Sequence, residues 1–182
     1  MKTKVAAIYG KQDIRIREFE LPEITDNELL VSVISDSVCL STWKAAALGS
    51  DHKRVPDDLE NHPVITGHEC AGIIIEVGKN LTDKYKKGQR FVLQPAMGLP
   101  SGYSAGYSYE YFGGNATYMI IPEVAINLGC VLPYHGSYFA AASLAEPMCC
   151  IIGAYNANYH TTPYVYEHRM GIKPGGSIAL LA

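Results

Sequence analysis

The stretch bounded by Gly67 and Gly78 constrains the fold most: residues 69–77 form a continuous apolar run rich in β-branched side chains. A run of that length between turn residues reads as a buried strand, which needs other strands beside it. Residues 4–9, 14–19 and 29–34 alternate apolar and polar side chains, the pattern of short antiparallel strands. Residues 90–94, after the Lys87-Gly88 turn, and 115–121 add two more. Helices are expected at 41–48, stopped by Gly49, and at 137–159, where Pro147 divides two helical pieces and sits in the first turn of the second. Residues 50–61, polar and containing Pro56, read as a loop. Residues 95–114 follow neither period and carry Tyr103, Tyr107, Tyr109 and Tyr111. Lys173-Pro174-Gly175-Gly176 reads as a turn and 177–181 as an apolar strand. The fold class that results is mainly β with helices.

With 182 residues, 48% hydrophobic and 18% charged, the chain can bury one good core and is short for two complete domains. A net charge of -3, without a block of like charge, argues against a nucleic-acid or lipid surface and for small molecules or other subunits as partners. No apolar run approaches the roughly 20 residues that span a bilayer. The opening Met1-Lys2-Thr3-Lys4 leads into a strand pattern and not a signal-peptide core, so the location expected is cytoplasmic. Five scattered cysteines suit free thiols or metal ligands in a reducing compartment better than a disulfide framework.

Metal-type ligands fall in three separated segments: Cys39 after the third strand, His68-Glu69 at the start of the buried strand, and Glu146 before Pro147. Catalytic zinc takes three protein ligands of these types and keeps a fourth position open. Taken singly, each has an ordinary explanation. Cys39 would be a small buried thiol, the reading kept for Cys70, Cys130, Cys149 and Cys150. His68 would cap a turn, Glu69 would serve a surface ion pair, and Glu146 would favour a helix start. Their combination reverses that preference.

Gly67-His68-Glu69-Cys70-Ala71-Gly72 followed by Gly78 resembles the zinc signature of the medium-chain dehydrogenase/reductase family. The likeness runs along the whole chain: Cys39 with Ser41 two residues later, Gly-His-Glu, Lys87-Gly88-Gln89-Arg90 entering a strand, then Glu146-Pro147. Glu146-Pro147, where classical alcohol dehydrogenases have a cysteine ligand, looks like the sorbitol-dehydrogenase branch. The resemblance implies a GroES-like, partly open β-barrel over residues 1–150, holding one catalytic Zn2+, and the start of a Rossmann domain for NAD or NADP over 151–182. It implies Cys39 and His68 as direct zinc ligands. Glu69 and Glu146 become a ligand and a nearby or water-mediated partner, in an order left open. One carboxylate with a thiolate neutralises the ion, whereas two would make the site anionic and a weaker Lewis acid. Ser41 matches the family's hydroxyl that passes the alcohol proton toward solvent. The activity implied interconverts a secondary alcohol and a ketone on a polyol, sugar or sugar phosphate, in a homo-oligomer.

Two departures qualify the likeness. Residues 94–114 contain none of the four clustered cysteines that hold a second, structural zinc in many relatives. No glycine-rich phosphate-binding turn follows 177–181, so the 182 residues alone are expected to be inactive, as a fragment of a longer enzyme. The competing reading is a noncatalytic GroES-like binding or assembly module, with a zinc-free reductase of the same superfamily ranked last. His52-Lys53-Arg54 with Lys44 offers charge-assisted donors for a phosphate, against which a solvated loop carries more weight. The four tyrosines serve a polyol or a subunit contact equally well. His62, His135, His160 and His168 fall outside any ligand spacing.

Overall fold

The computed structural model describes residues 1–179, apart from the side chains of residues 162, 167 and 168. The chain divides into two compact units, Met1–Glu146 and Pro147–Ala182.

In the first unit, β1 (Lys2–Gly10) and β2 (Asp13–Glu20) form a hairpin, and β3 (Leu29–Asp36) leads into α1 (Leu40–Leu48). β4 (Val64–Ile65), β5 (Cys70–Val77), β6 (Arg90–Leu93), β7 (Tyr118–Ile121) and β8 (Val131–Pro133) follow, with α2 (Glu123–Asn127) and α3 (Phe139–Ser143) between and after them. Two antiparallel sheets result, β2-β1-β4 and β7-β3-β5-β6-β8. Neither closes on itself, and an isolated bridge from Val5 to Ala116 joins them, as in a partly open barrel.

The expected buried strand is β5, flanked by β3 and β6. Its first half is buried through Cys70, Ala71, Gly72 and Ile74, while Glu76 reaches the surface. Gly72 lies opposite Phe91 on β6, and a side chain there would drive into the Ser32 carbonyl on β3. That close approach lets Phe91 fill the main core beside Leu29, Ile74, Phe112, Met119 and Ile121. A second cluster packs Ala45 and Ala46 of α1 against Ile8, Val55, Leu59, Val64 and Tyr107.

Several expectations need correction. β2 is the antiparallel strand expected, but its alternation buries no apolar face: Ile14 and Ile16 are exposed, because the strand is a sheet edge and pairs only with β1. The helical stretch breaks at Leu144, not at Pro147. α4 (Ala145–Ala157) begins two residues earlier and holds Pro147 in its first turn, where a missing N–H forfeits no helical hydrogen bond. Cys149 and Cys150 are exposed rather than core thiols, since α4 has no buried residue. In the second unit, β9 (Tyr159–Thr162) and β10 (Val165–Met170) form an unanticipated antiparallel pair. The turn at Lys173 closes through a 3.1 Å hydrogen bond from the Gly176 N–H. Of the strand expected at 177–181, residues 177–179 are not extended in a sheet, and the remainder lies outside the described residues.

Candidate active site

Three chain segments converge where β3 ends, β5 begins and α1 starts. Cys39 is the residue before α1, with an extended backbone (φ -102, ψ 137), so its side chain sits at the mouth of the helix. His68 and Glu69 follow Gly67, whose φ of 89 is a left-handed conformation open to glycine without strain. Both side chains are only 5% exposed. One thiol, one imidazole and one carboxylate, from Cys39, His68 and Glu69, place their ligand atoms within 4.8 Å of one another.

The donor set suits a divalent ion of zinc type. Burial, the leading cause, and the positive charge of Arg54 hold the His68 imidazole below its ordinary pKa against the opposing pull of Glu69; this favours the neutral ring that metals bind. His68 Nδ1 is buried with no hydrogen-bond partner, an orphaned atom that folding would not leave without compensation.

Glu69 is fixed from two sides. Its N–H donates to Asp36 Oδ1 at 2.9 Å, and its Oε2 accepts a hydrogen bond from Ser37 Oγ. Ser37 Oγ also lies 3.3 Å from the Ser143 carbonyl, and Ser35 Oγ and Ser143 Oγ are 2.9 Å apart, so the end of α3 braces the end of β3. Burial pushes the Asp36 carboxyl up to about 7, although the N–H groups of Glu69 and Ser37 favour its anion.

Ser41, in the first turn of α1, is the hydroxyl common to the whole group. It donates to Cys39 Sγ at 2.8 Å, lies 3.4 Å from His68 Nε2, and accepts from the Tyr107 hydroxyl at 2.7 Å. Tyr107 was one of four equivalent tyrosines in the sequence, and the structure separates them. Tyr109 packs on Phe112 and the main core, Tyr103 meets the edge of Tyr109, and Tyr111 joins the cluster of Leu21, Leu30 and Ile120. Tyr107 alone of the four stands at the ligand set, its ring 5.0 Å from His68. The clue was the residue before it: Gly106 has φ 74, and a side chain there would strike the Gly67 carbonyl. Glycine on both sides of this contact lets the irregular lobe press against the His68 turn.

One imidazole and one guanidinium also lie against the Tyr107 ring. His52 stacks on it at 5.7 Å and 13°, and the Arg54 guanidinium carbon is 5.2 Å from its centroid. Burial first, then Arg54, Lys44 and Lys53, hold the His52 imidazole below its ordinary pKa. Burial raises the Tyr107 phenol, opposed by the Ser41 hydrogen bond; Cys39 and Glu146 add to the rise and Arg54 opposes it. Glu146, in the first turn of α4, is thus within electrostatic reach of Tyr107 but outside the three-residue ligand set.

A family model described as the alcohol dehydrogenase GroES-like domain matches residues 25–130. Mannitol-1-phosphate 5-dehydrogenase of Aliivibrio fischeri is 70% identical over 181 residues, 100% of this chain and 43% of that protein. L-sorbose 1-phosphate reductase of Klebsiella pneumoniae is 44% identical over 180 residues, 98% of this chain and 44% of that protein. The chain therefore spans less than half the length of these curated relatives. Among solved structures, a zinc-binding dehydrogenase from Sinorhizobium meliloti bound to NADP superimposes with a TM-score of 0.67 at 20% identity, covering 87% of this chain and 48% of the other. No described helix is long and apolar enough to cross a membrane.

Proposed function

Because this chain belongs to the alcohol dehydrogenase GroES-like domain family, we propose that the complete protein is a zinc-dependent, NAD(P)-linked oxidoreductase that interconverts a secondary alcohol and a ketone on a polyol or sugar phosphate. The observation that carries this reading is the grouping of Cys39, His68 and Glu69 within 4.8 Å, with the Ser41 hydroxyl against both the thiol and the imidazole. The names of the relatives at 70% and 44% identity support a phosphorylated hexitol or ketohexose as substrate. The greater likeness to the mannitol phosphate enzyme weighs the choice toward it over the sorbose phosphate enzyme.

In this reading residues 1–150 are the catalytic domain and 151–182 begin the nucleotide-binding domain. Cys39, His68 and Glu69 hold the metal directly. Glu146 acts as the nearby or water-mediated carboxylate, consistent with its place outside the compact set. Zinc, when bound, supplies the Lewis acidity that stabilises negative charge on the substrate oxygen. The chain's own residues do the remaining work. Ser41 Oγ, held by the 2.7 Å hydrogen bond it accepts from Tyr107, takes the proton of the alcohol as it is oxidised and, on turning its own O–H away from Cys39 Sγ, releases one to solvent. Tyr107 and the buried Gly67–Gly106 contact shield the reacting centre from water. The neutral His68 leaves the site one negative thiolate and one carboxylate against a divalent charge. Turnover is assigned to the complete, cytosolic and homo-oligomeric enzyme.

The test is steady-state turnover of the full-length protein with mannitol 1-phosphate and NAD(P), alongside Ser41→Ala. Wild type should form NAD(P)H, and the variant should lose about 10²–10⁴-fold in kcat, the range for a positioned proton-transfer group, while keeping its zinc. Wild-type activity that survives complete removal of zinc would overturn the proposal.

A further inference from the structure

The structure assigns a phosphate-monoester subsite to the loop after α1, in which Arg54, Lys53 and Lys44 hold the phosphate of the substrate beside the Tyr107 ring, whose hydroxyl reaches Ser41. This rests on the alcohol–ketone reading of the site and specifies which end of the substrate goes where. The Tyr107 ring is the link: its hydroxyl donates to Ser41 at 2.7 Å, while its face meets the Arg54 guanidinium at 5.2 Å and the His52 ring at 5.7 Å. A substrate whose oxidisable carbon lies at Ser41 would have its phosphate within one ring's reach of the cations.

The loop is built to hold that position. The Arg54 N–H donates to His52 Nδ1 at 3.3 Å, and the Arg54 carbonyl accepts from the buried Ser108 hydroxyl at 2.6 Å. Ser108 belongs to the same lobe as Tyr107, so the Arg54 backbone is tied to the lobe that carries the ring. Lys44 is one helical turn beyond Ser41 on α1.

The cations are also uncommitted. The nearby carboxylate of Asp51 is engaged by Lys11 at 2.8 Å. Among the described residues, no carboxylate lies within ion-pair distance of Lys44, Lys53 or Arg54. Arg54 lies against the buried Tyr107 ring, and Lys44 and Lys53 are within electrostatic reach of the His52 that stacks on it, a concentration of positive charge in a chain of net charge -3. A guanidinium supplies the planar fork that matches phosphate oxygens, and the lysines add point charges.

The experiment is calorimetric titration of the full-length protein with inorganic phosphate, for wild type, Arg54→Gln, Lys53→Gln and Lys44→Gln, with zinc content measured on every sample. Phosphate should bind wild type and weaken about tenfold or more in Arg54→Gln, the loss of a charged hydrogen-bond donor. Each exposed lysine variant should weaken it several-fold, which keeps the test valid if Arg54→Gln folds poorly. Mannitol 1-phosphate should displace the bound phosphate and NADP should not. Unchanged phosphate affinity in the variants, no binding to wild type, or displacement by NADP in place of mannitol 1-phosphate would overturn the subsite. Phosphate binding lost in the variants of a protein that holds no zinc would sustain the subsite and sink the zinc-enzyme reading instead; normal zinc with variant-insensitive phosphate would do the reverse.

Discussion

Replacing Gly106 by alanine should cost far more than replacing Gly102, although the two glycines share almost the same φ. Gly102 has φ 76 and Gly106 φ 74, so both substitutions force an L residue into the left-handed region. That conformation costs about 1–2 kcal/mol, offset by about 0.4–1 kcal/mol because alanine restricts the unfolded chain. Gly102→Ala should therefore lose less than about 1.5 kcal/mol, since nothing lies within 4 Å of a Cβ there. At Gly106 the Cβ would meet the Gly67 backbone, with the carbonyl carbon at 2.6 Å, and backbone cannot rotate away as a side chain can. Overpacking of this kind adds about 1–3 kcal/mol. The total expected for Gly106→Ala is about 2–4 kcal/mol. Urea denaturation followed by far-ultraviolet circular dichroism measures the difference; with m near about 1–3 kcal/mol/M, the Gly106 midpoint should fall about 1 M below that of Gly102→Ala. Equal midpoints would refute the claim that this contact, and not the dihedral angle alone, seats the tyrosine lobe on the His68 turn.

Two further outcomes follow from burial. Phe91→Ala, which empties a fully buried ring position on β6 in the main core, should destabilise the chain by about 3–5 kcal/mol in the same denaturation assay; a loss under about 1 kcal/mol would mean Phe91 is not central to the core. In native protein, a maleimide should label exposed Cys149 and Cys150 quickly and leave Cys70 and Cys130 silent, because burial raises both of their thiol pKa values and excludes the reagent. Peptide mass spectrometry reads the pattern, and rapid Cys70 labelling would contradict the burial. Cys39, half-buried, should be protected by added zinc and exposed again by chelation in that experiment.

The sequence made the larger strands legible because each carries a period that packing later uses. β1, β3 and β5 gave alternating or continuous apolar runs and form the centres of the two sheets. The short elements carried no period to read. β4 has two residues and is extended because Ala7 and Ile8 pair with it, and β8 ends in Pro133 at a sheet edge. β9 and β10 pair through residues that include exposed Tyr159 and Met170, so no apolar alternation marks them. The four candidate metal residues were legible from motif and spacing; the structure brings Cys39, His68 and Glu69 within 4.8 Å and leaves Glu146 outside that group. Tyr107 was not separable from its neighbours, because the distinction depends on which tyrosine follows a glycine able to touch Gly67. The basic loop read as a solvated face, since only the fold lays Arg54 and His52 on that ring.

Metal content by elemental mass spectrometry, on the full-length protein purified without chelator and on its Cys39→Ser variant, tests the central claim most directly. The account predicts about one zinc per chain in wild type and its loss in the variant, because the thiol is one of three ligand groups within 4.8 Å. No zinc in wild type after the metal is supplied would contradict it and favour a noncatalytic binding module with the same fold.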